Sequence, residues 1–148
     1  MKTPIAIALF VVAAIPFVRA GDEKSDLEKF QGKWIVVSLL EEGKAVDAKE
    51  LAMLEITIEK DTYTATEKGE VVAKYRFKID PSKKPAAIDF TPLLGKEKEK
   101  VTELGIYVFE KDQLKMCVDE TGKTRPSVFE GKGTETCSVI VLKKKDAK

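Results

Sequence analysis

The sequence predicts an all-β protein, an antiparallel up-and-down barrel of about eight strands with one or two short helical turns. Four observations carry this expectation. Stretches rich in β-branched and aromatic residues recur at short, regular spacing, several of them alternate between apolar and polar positions, and turn residues separate them. No segment between them has the length and periodicity of a crossover helix.

Residues 1–20 have the form of a signal peptide that is removed. Lys2 supplies the positive start, residues 5–17 are apolar apart from Pro16, and Val18-Arg19-Ala20 offers a peptidase site. The apolar stretch falls short of the roughly 20 residues that cross a bilayer. The expectation is one domain, residues 21–148, secreted or periplasmic after cleavage near Ala20, with no membrane span after processing.

Ser25-Asp26-Leu27-Glu28 has capping-box spacing, so a helical turn is expected over 26–31, ended by Gly32. Residues 34–40 read as the first strand and Glu41-Glu42-Gly43-Lys44 as its turn. Asp47 and Glu50 repeat the capping spacing ahead of a short helix over 48–53. Leu54, Ile56 and Ile58 then alternate with Glu55, Thr57 and Glu59, the period of a strand with one wet face. Residues 62–67 return across Lys60-Asp61. After Lys68-Gly69, a strand over 71–79 sets Val71, Ala73, Tyr75, Phe77 and Ile79 against Lys74, Arg76 and Lys78. Prolines 81 and 85 break the ladder. Strands over 87–91, 102–109, 113–118, 127–130 and 136–143 complete the set. Lys96-Glu97-Lys98-Glu99-Lys100 reads as a solvated loop, and Lys111-Asp112 and Thr121-Gly122-Lys123 as hairpin turns. Closing such a meander removes its exposed edges.

Composition excludes several classes of function. Losing Lys2 and Arg19 with the leader turns a net charge of +1 into −1, and an evenly mixed surface does not suit nucleic acid. The run Lys143-Lys144-Lys145 reads as a solvated tail. The chain has no histidine, which removes Ser-His-Asp triads, Cys-His pairs and almost every zinc site. Its carboxylates fall at turns and polar strand positions, where solvated charge is the simplest reading. No catalytic activity, metal or cofactor is expected.

Leu27-Glu28-Lys29-Phe30-Gln31-Gly32-Lys33-Trp34, Asp80-Pro81 with Pro85, Ile88 and Asp89, Leu104-Gly105-Ile106-Tyr107, Leu114-Lys115-Met116-Cys117 and Arg125-Pro126 follow one another in the order of a known group. In these segments the chain resembles the small secreted lipocalin-like domain proteins of planctomycete bacteria. The resemblance implies a lipocalin-like barrel and an extracytoplasmic location, and it implies no reaction. It gives Gly32 and Trp34 structural roles, with Trp34 closing the barrel base. A basic side chain from late in the chain would cover the indole, and the candidates are Arg125 first and Lys143 second. Such a cation–π contact contributes about 1 kcal/mol. Cys137 lies outside the shared pattern.

The expected inward-facing set begins with Val36, Ile56 and Ile58 and continues with Tyr75 and Phe77. Ile106, Val108, Leu114 and Met116 complete it. A barrel of this size is either filled by such side chains or keeps a cup for one small apolar molecule, and both demand the same alternation. Tyr63, Tyr75 and Tyr107 are the polar groups available to orient a ligand. The competing reading is a protein–protein interaction or protease-inhibitor-like domain acting through open-end loops, where Thr91-Pro92-Leu93-Leu94-Gly95 carries two leucines. Cys117 and Cys137 invite a disulfide in an oxidising compartment. Against it, an intervening strand at 127–130 would hold them about two strand spacings apart.

Overall fold

The computed structural model describes residues 22–96, 100–130 and 136–146. The expected leader and residues 97–99 of the charged loop lie outside them. The elements run α1 (Glu23–Phe30), β1 (Gly32–Glu41), β2 (Lys44–Ala45), α2 (Ala48–Leu51), β3 (Leu54–Glu59), β4 (Thr62–Glu67), β5 (Glu70–Asp80), β6 (Ala86–Pro92), β7 (Glu103–Glu110), β8 (Gln113–Asp119) and β9 (Cys137–Lys144). Each strand from β3 to β9 pairs antiparallel with the next, and β1 pairs with both β3 and β9. Eight strands therefore close a barrel, while β2 is a two-residue flap folded back on β1. The chain is an all-β, lipocalin-like up-and-down barrel with two short helices.

Local chemistry explains the turns. Glu42 and Gly43 (φ 49° and 74°), like Lys68 and Gly69 (φ 51° and 86°), place two successive residues in the left-handed region. That pattern matches the twist of the flanking strands. Helix α1 begins earlier than the Ser25 box implies, because Asp22 caps it by accepting from the Lys24 N–H at 3.3 Å. Asp47 caps α2 in the expected way, accepting from Lys49 N–H at 2.7 Å.

One end of the barrel is sealed. Phe30, at the end of α1, is buried beneath the barrel with its ring 5.3 Å from Phe77 and 5.0 Å from both Tyr107 and Phe109. Asp26 fastens the same helix by accepting a buried 2.8 Å hydrogen bond from the Tyr107 hydroxyl. Burial first, and then this carboxylate, push the Tyr107 phenol well above its ordinary value. Gly32 links helix to strand at φ 115°, a conformation that favours glycine. Trp34 is 2% exposed and donates its indole N–H to the Phe30 carbonyl at 2.8 Å.

The cation over Trp34 is neither Arg125 nor Lys143. Lys144, the β9 partner of Trp34, holds its Nζ 4.5 Å from the ring centroid and donates to the Gln31 carbonyl. Burial holds the Lys144 ammonium below its usual pKa. Residues 143 and 144 thus belong to β9, and Lys145 binds Glu55, so this run is a clasp instead of a free tail. Arg125 acts elsewhere, on the carbonyls of Ile88 and Gly105 and on Asp89.

Residues 127–130 form no strand. Residues 120–130 cross the outside of the barrel as a strap, and β8 pairs directly with β9. Under the strap, Ile106, Cys117 and Val139 form a small buried cluster on the outer face, with Phe129 packed against it. Cys117 lies opposite Val139 and Cys137 opposite Asp119, so the two cysteines are diagonal neighbours on one face. Both thiols are free. Burial first, then Cys137, push the Cys117 thiol up to about 11.

Candidate functional site

The other end of the barrel stays open around a cavity of about 250 Å³. Strands β1, β3, β4 and β5 bring Val36, Ile56, Ala65 and Ala73 to its wall, and β6, β8 and β9 add Phe90, Met116 and Ile140. Alternation explains the selection, since each of these residues takes the inward position of its strand. Tyr63, Tyr75 and Phe90 form an edge-to-face cluster, with centroids 5.5–6.1 Å apart.

Four of the nine residues expected inside line this cavity: Val36, Ile56, Tyr75 and Met116. Ile58, Phe77 and Leu114 also face inward, but they fill the closed core. Ile106 and Val108 do not face inward. Cross-strand partners share a face, and Ile106 lies opposite Cys117 and Val108 opposite Lys115, both on the outer face. The inward positions of β7 are instead Glu103, Gly105, Tyr107 and Phe109. Leu104, Ile106 and Val108 look like a core face because the strap covers part of that outer surface. Val71 is half exposed because a bulge between Ala65 and Thr66 shifts its register, and Val72 lines the cavity. Of the three tyrosines, Tyr63 and Tyr75 reach the cavity, whereas Tyr107 serves the closed end.

The polar groups at the mouth are acidic. Glu103 projects from the start of β7, Glu41 from the end of β1, and Glu120 from just beyond β8, where it accepts from the Ser138 hydroxyl. Burial raises the Glu103 carboxyl to about 7, and the charge of Glu120 adds to the rise while the nearby Tyr75 hydroxyl opposes it. Tyr75 is pushed up to about 12, by burial first and then by Glu103 and Glu120. A carboxyl near 7 can take or give a proton at neutral pH. The rest of the lining is mainly aliphatic and aromatic.

The raised pKa of Glu103 has a measurable consequence. Between its ordinary value of 4.5 and the folded value of about 7, the folded chain holds a proton that the unfolded chain has released. Stability therefore falls as pH rises through this window. Because Glu103 is only half buried, solvent screening reduces the cost to on the order of 1 kcal/mol. Glu103→Gln is expected to restore that amount at pH 8 and to do little at pH 4. Urea unfolding at the two pH values measures it, and an equal effect at both would reject the assignment.

Fold and cavity together define a lipocalin-like barrel, sealed at one end and open at the other. No family model, curated protein or solved structure matches the chain. Among the described residues no helix is long and apolar enough to cross a membrane, and no cluster of three or more His, Cys, Asp or Glu residues is placed to hold a metal ion.

Proposed function

We propose that this chain is a secreted lipocalin-like module that holds a small, largely apolar molecule in the open end of its barrel and catalyses no reaction. The observation that carries the reading is the cavity of about 250 Å³, lined by inward side chains of all eight barrel strands. Small-molecule sites are concave, mostly apolar and edged by a few polar groups, and this one has that character. Export rests on the leader sequence, and the absence of catalysis on the missing histidine and the mainly apolar wall. The resemblance to the planctomycete lipocalin-like proteins supports the extracytoplasmic location and does not bear on catalysis.

A specific observation favours a second reading, the interaction or protease-inhibitor-like module. Val72, Leu94 and Val101 are each about half exposed and lie in or beside the open-end loops, where a protein could dock. Native mass spectrometry of the protein purified from its own source separates the two. A co-purifying small molecule supports the carrier, and a bound protein supports the interaction module.

The cavity itself is testable without knowing the ligand. Ala73 lines it from β5 and is half-buried, so Ala73→Phe fills space without overpacking the closed core. This variant is expected to keep the barrel's circular dichroism and to bind the neutral dye N-phenyl-1-naphthylamine at least about tenfold more weakly. Equal dye binding by the variant and the wild type would place the site elsewhere.

A further inference from the structure

Resting on the carrier reading, we propose that the cavity selects a small amphipathic amine, with the apolar body among the aromatic rings and the ammonium between Glu103 and Glu120. Among the described residues no Lys or Arg lines this cavity, whereas Glu41, Glu103 and Glu120 all do. Leu104 and Asp119 are the last paired residues of β7 and β8 at this end, so Glu103 and Glu120 continue side by side on neighbouring strands. Like charges in that relation repel. Among the described residues the ion pairs engage Asp26, Glu55, Asp61, Asp89 and Asp112, and none engages the three mouth glutamates.

A ligand ammonium relieves this repulsion. It is a compact triple donor, and the two carboxylates with the Tyr75 hydroxyl supply acceptors on three elements. The rings of Tyr63, Tyr75 and Phe90 line the same cavity, suited to an alkyl or aryl body and to partial cation–π contact. A carboxylate-headed ligand of the same length meets the same mouth with the wrong sign. Selectivity also depends on pH, because Glu103 ionises near neutrality facing Tyr75 from β5, Glu120 beyond β8 and Glu41 from β1.

Competition between octylamine, octanol and octanoate for the neutral dye tests this, since the three probes share a tail. At pH 8 octylamine is expected to displace the dye at about tenfold lower concentration than octanol, as a charge-assisted hydrogen bond allows, with octanoate weakest. The amine advantage should shrink at pH 5. In the Glu103→Gln/Glu120→Gln double variant it should vanish, with octylamine and octanol displacing the dye at similar concentrations. Equal displacement by octylamine and octanol in the wild-type protein would overturn the amine assignment and leave the carrier reading intact. So would an amine advantage that survives in the double variant. Failure of the wild-type protein to bind dye or octanol would remove both.

Discussion

Trp34→Ala is expected to cost about 3–5 kcal/mol, the range for deleting a fully buried large aromatic side chain. Three separate losses contribute. The indole leaves a void at the closed end beside Phe30, the Phe30 carbonyl loses its 2.8 Å donor, and Lys144 loses the ring beneath its ammonium. Trp34→Phe separates the first loss from the others. It keeps most of the volume and a π face but orphans the Phe30 carbonyl, so about 1–3 kcal/mol should go. Urea unfolding followed by far-ultraviolet circular dichroism measures both, because neither variant retains a tryptophan signal. A loss below about 1 kcal/mol for Trp34→Ala would show that the closed end does not depend on this plug. Binding of the neutral dye should survive in the folded fraction of either variant, since Trp34 does not line the open cavity.

The closed end was also the part most legible in the sequence. Gly32 and Trp34 announce it because a left-handed glycine and a lone buried tryptophan leave few substitutes. The strands over 54–59 and 62–67 were equally plain, since one face is wet and the alternation is clean. The outer strap was not legible. Ser127 to Glu130 carries Val128 and Phe129 and resembles a strand locally, yet Val128 faces water while Phe129 covers Ile106 and Cys117. A strap that buries part of the outside makes β7 apolar on both faces, and the period of two then gives no sign of which face is inside. Glu103 was overlooked for the same reason. The usable signal was its parity with Tyr107 and Phe109, obscured by the more aliphatic Leu104, Ile106 and Val108. The misplaced role of Arg125 follows too, because the strap delivers its guanidinium to β6 and β7 and keeps it away from the barrel base.

Arg125→Ala is therefore expected to cost about 2 kcal/mol by releasing the strap, not by uncovering Trp34. One guanidinium nitrogen donates to the Gly105 carbonyl at 2.7 Å and the Ile88 carbonyl at 3.2 Å, and the other reaches Asp89 at 2.7 Å. The contact with Asp89 is about a third exposed on both sides, so solvent discounts it, and the carbonyls dominate. Arg125→Lys should recover little, since an ammonium cannot reproduce the planar fork. The other anchor of the strap is the buried Asp119, which accepts from Thr121 N–H at 2.9 Å, Thr121 Oγ1 at 2.7 Å and Thr124 N–H at 2.9 Å. Burial raises this carboxyl, but the hydrogen bonds from Thr121, Thr124 and Lys123 together hold it below its ordinary pKa. With that anchor intact and Arg125 gone, the outer cluster should open while the barrel stays closed. Cys117 reports this directly, because it is 1% exposed beneath the strap region and should react slowly with an alkylating reagent in the wild-type protein. Its labelling, followed by peptide mass spectrometry, should accelerate in Arg125→Ala and stay slow in Trp34→Phe under native conditions. Unchanged stability with unchanged Cys117 labelling would show that Arg125 does not hold the strap. Glu120 lies between the two anchors, so the same contacts that cover the outer cluster also fix one of the carboxylates at the cavity mouth.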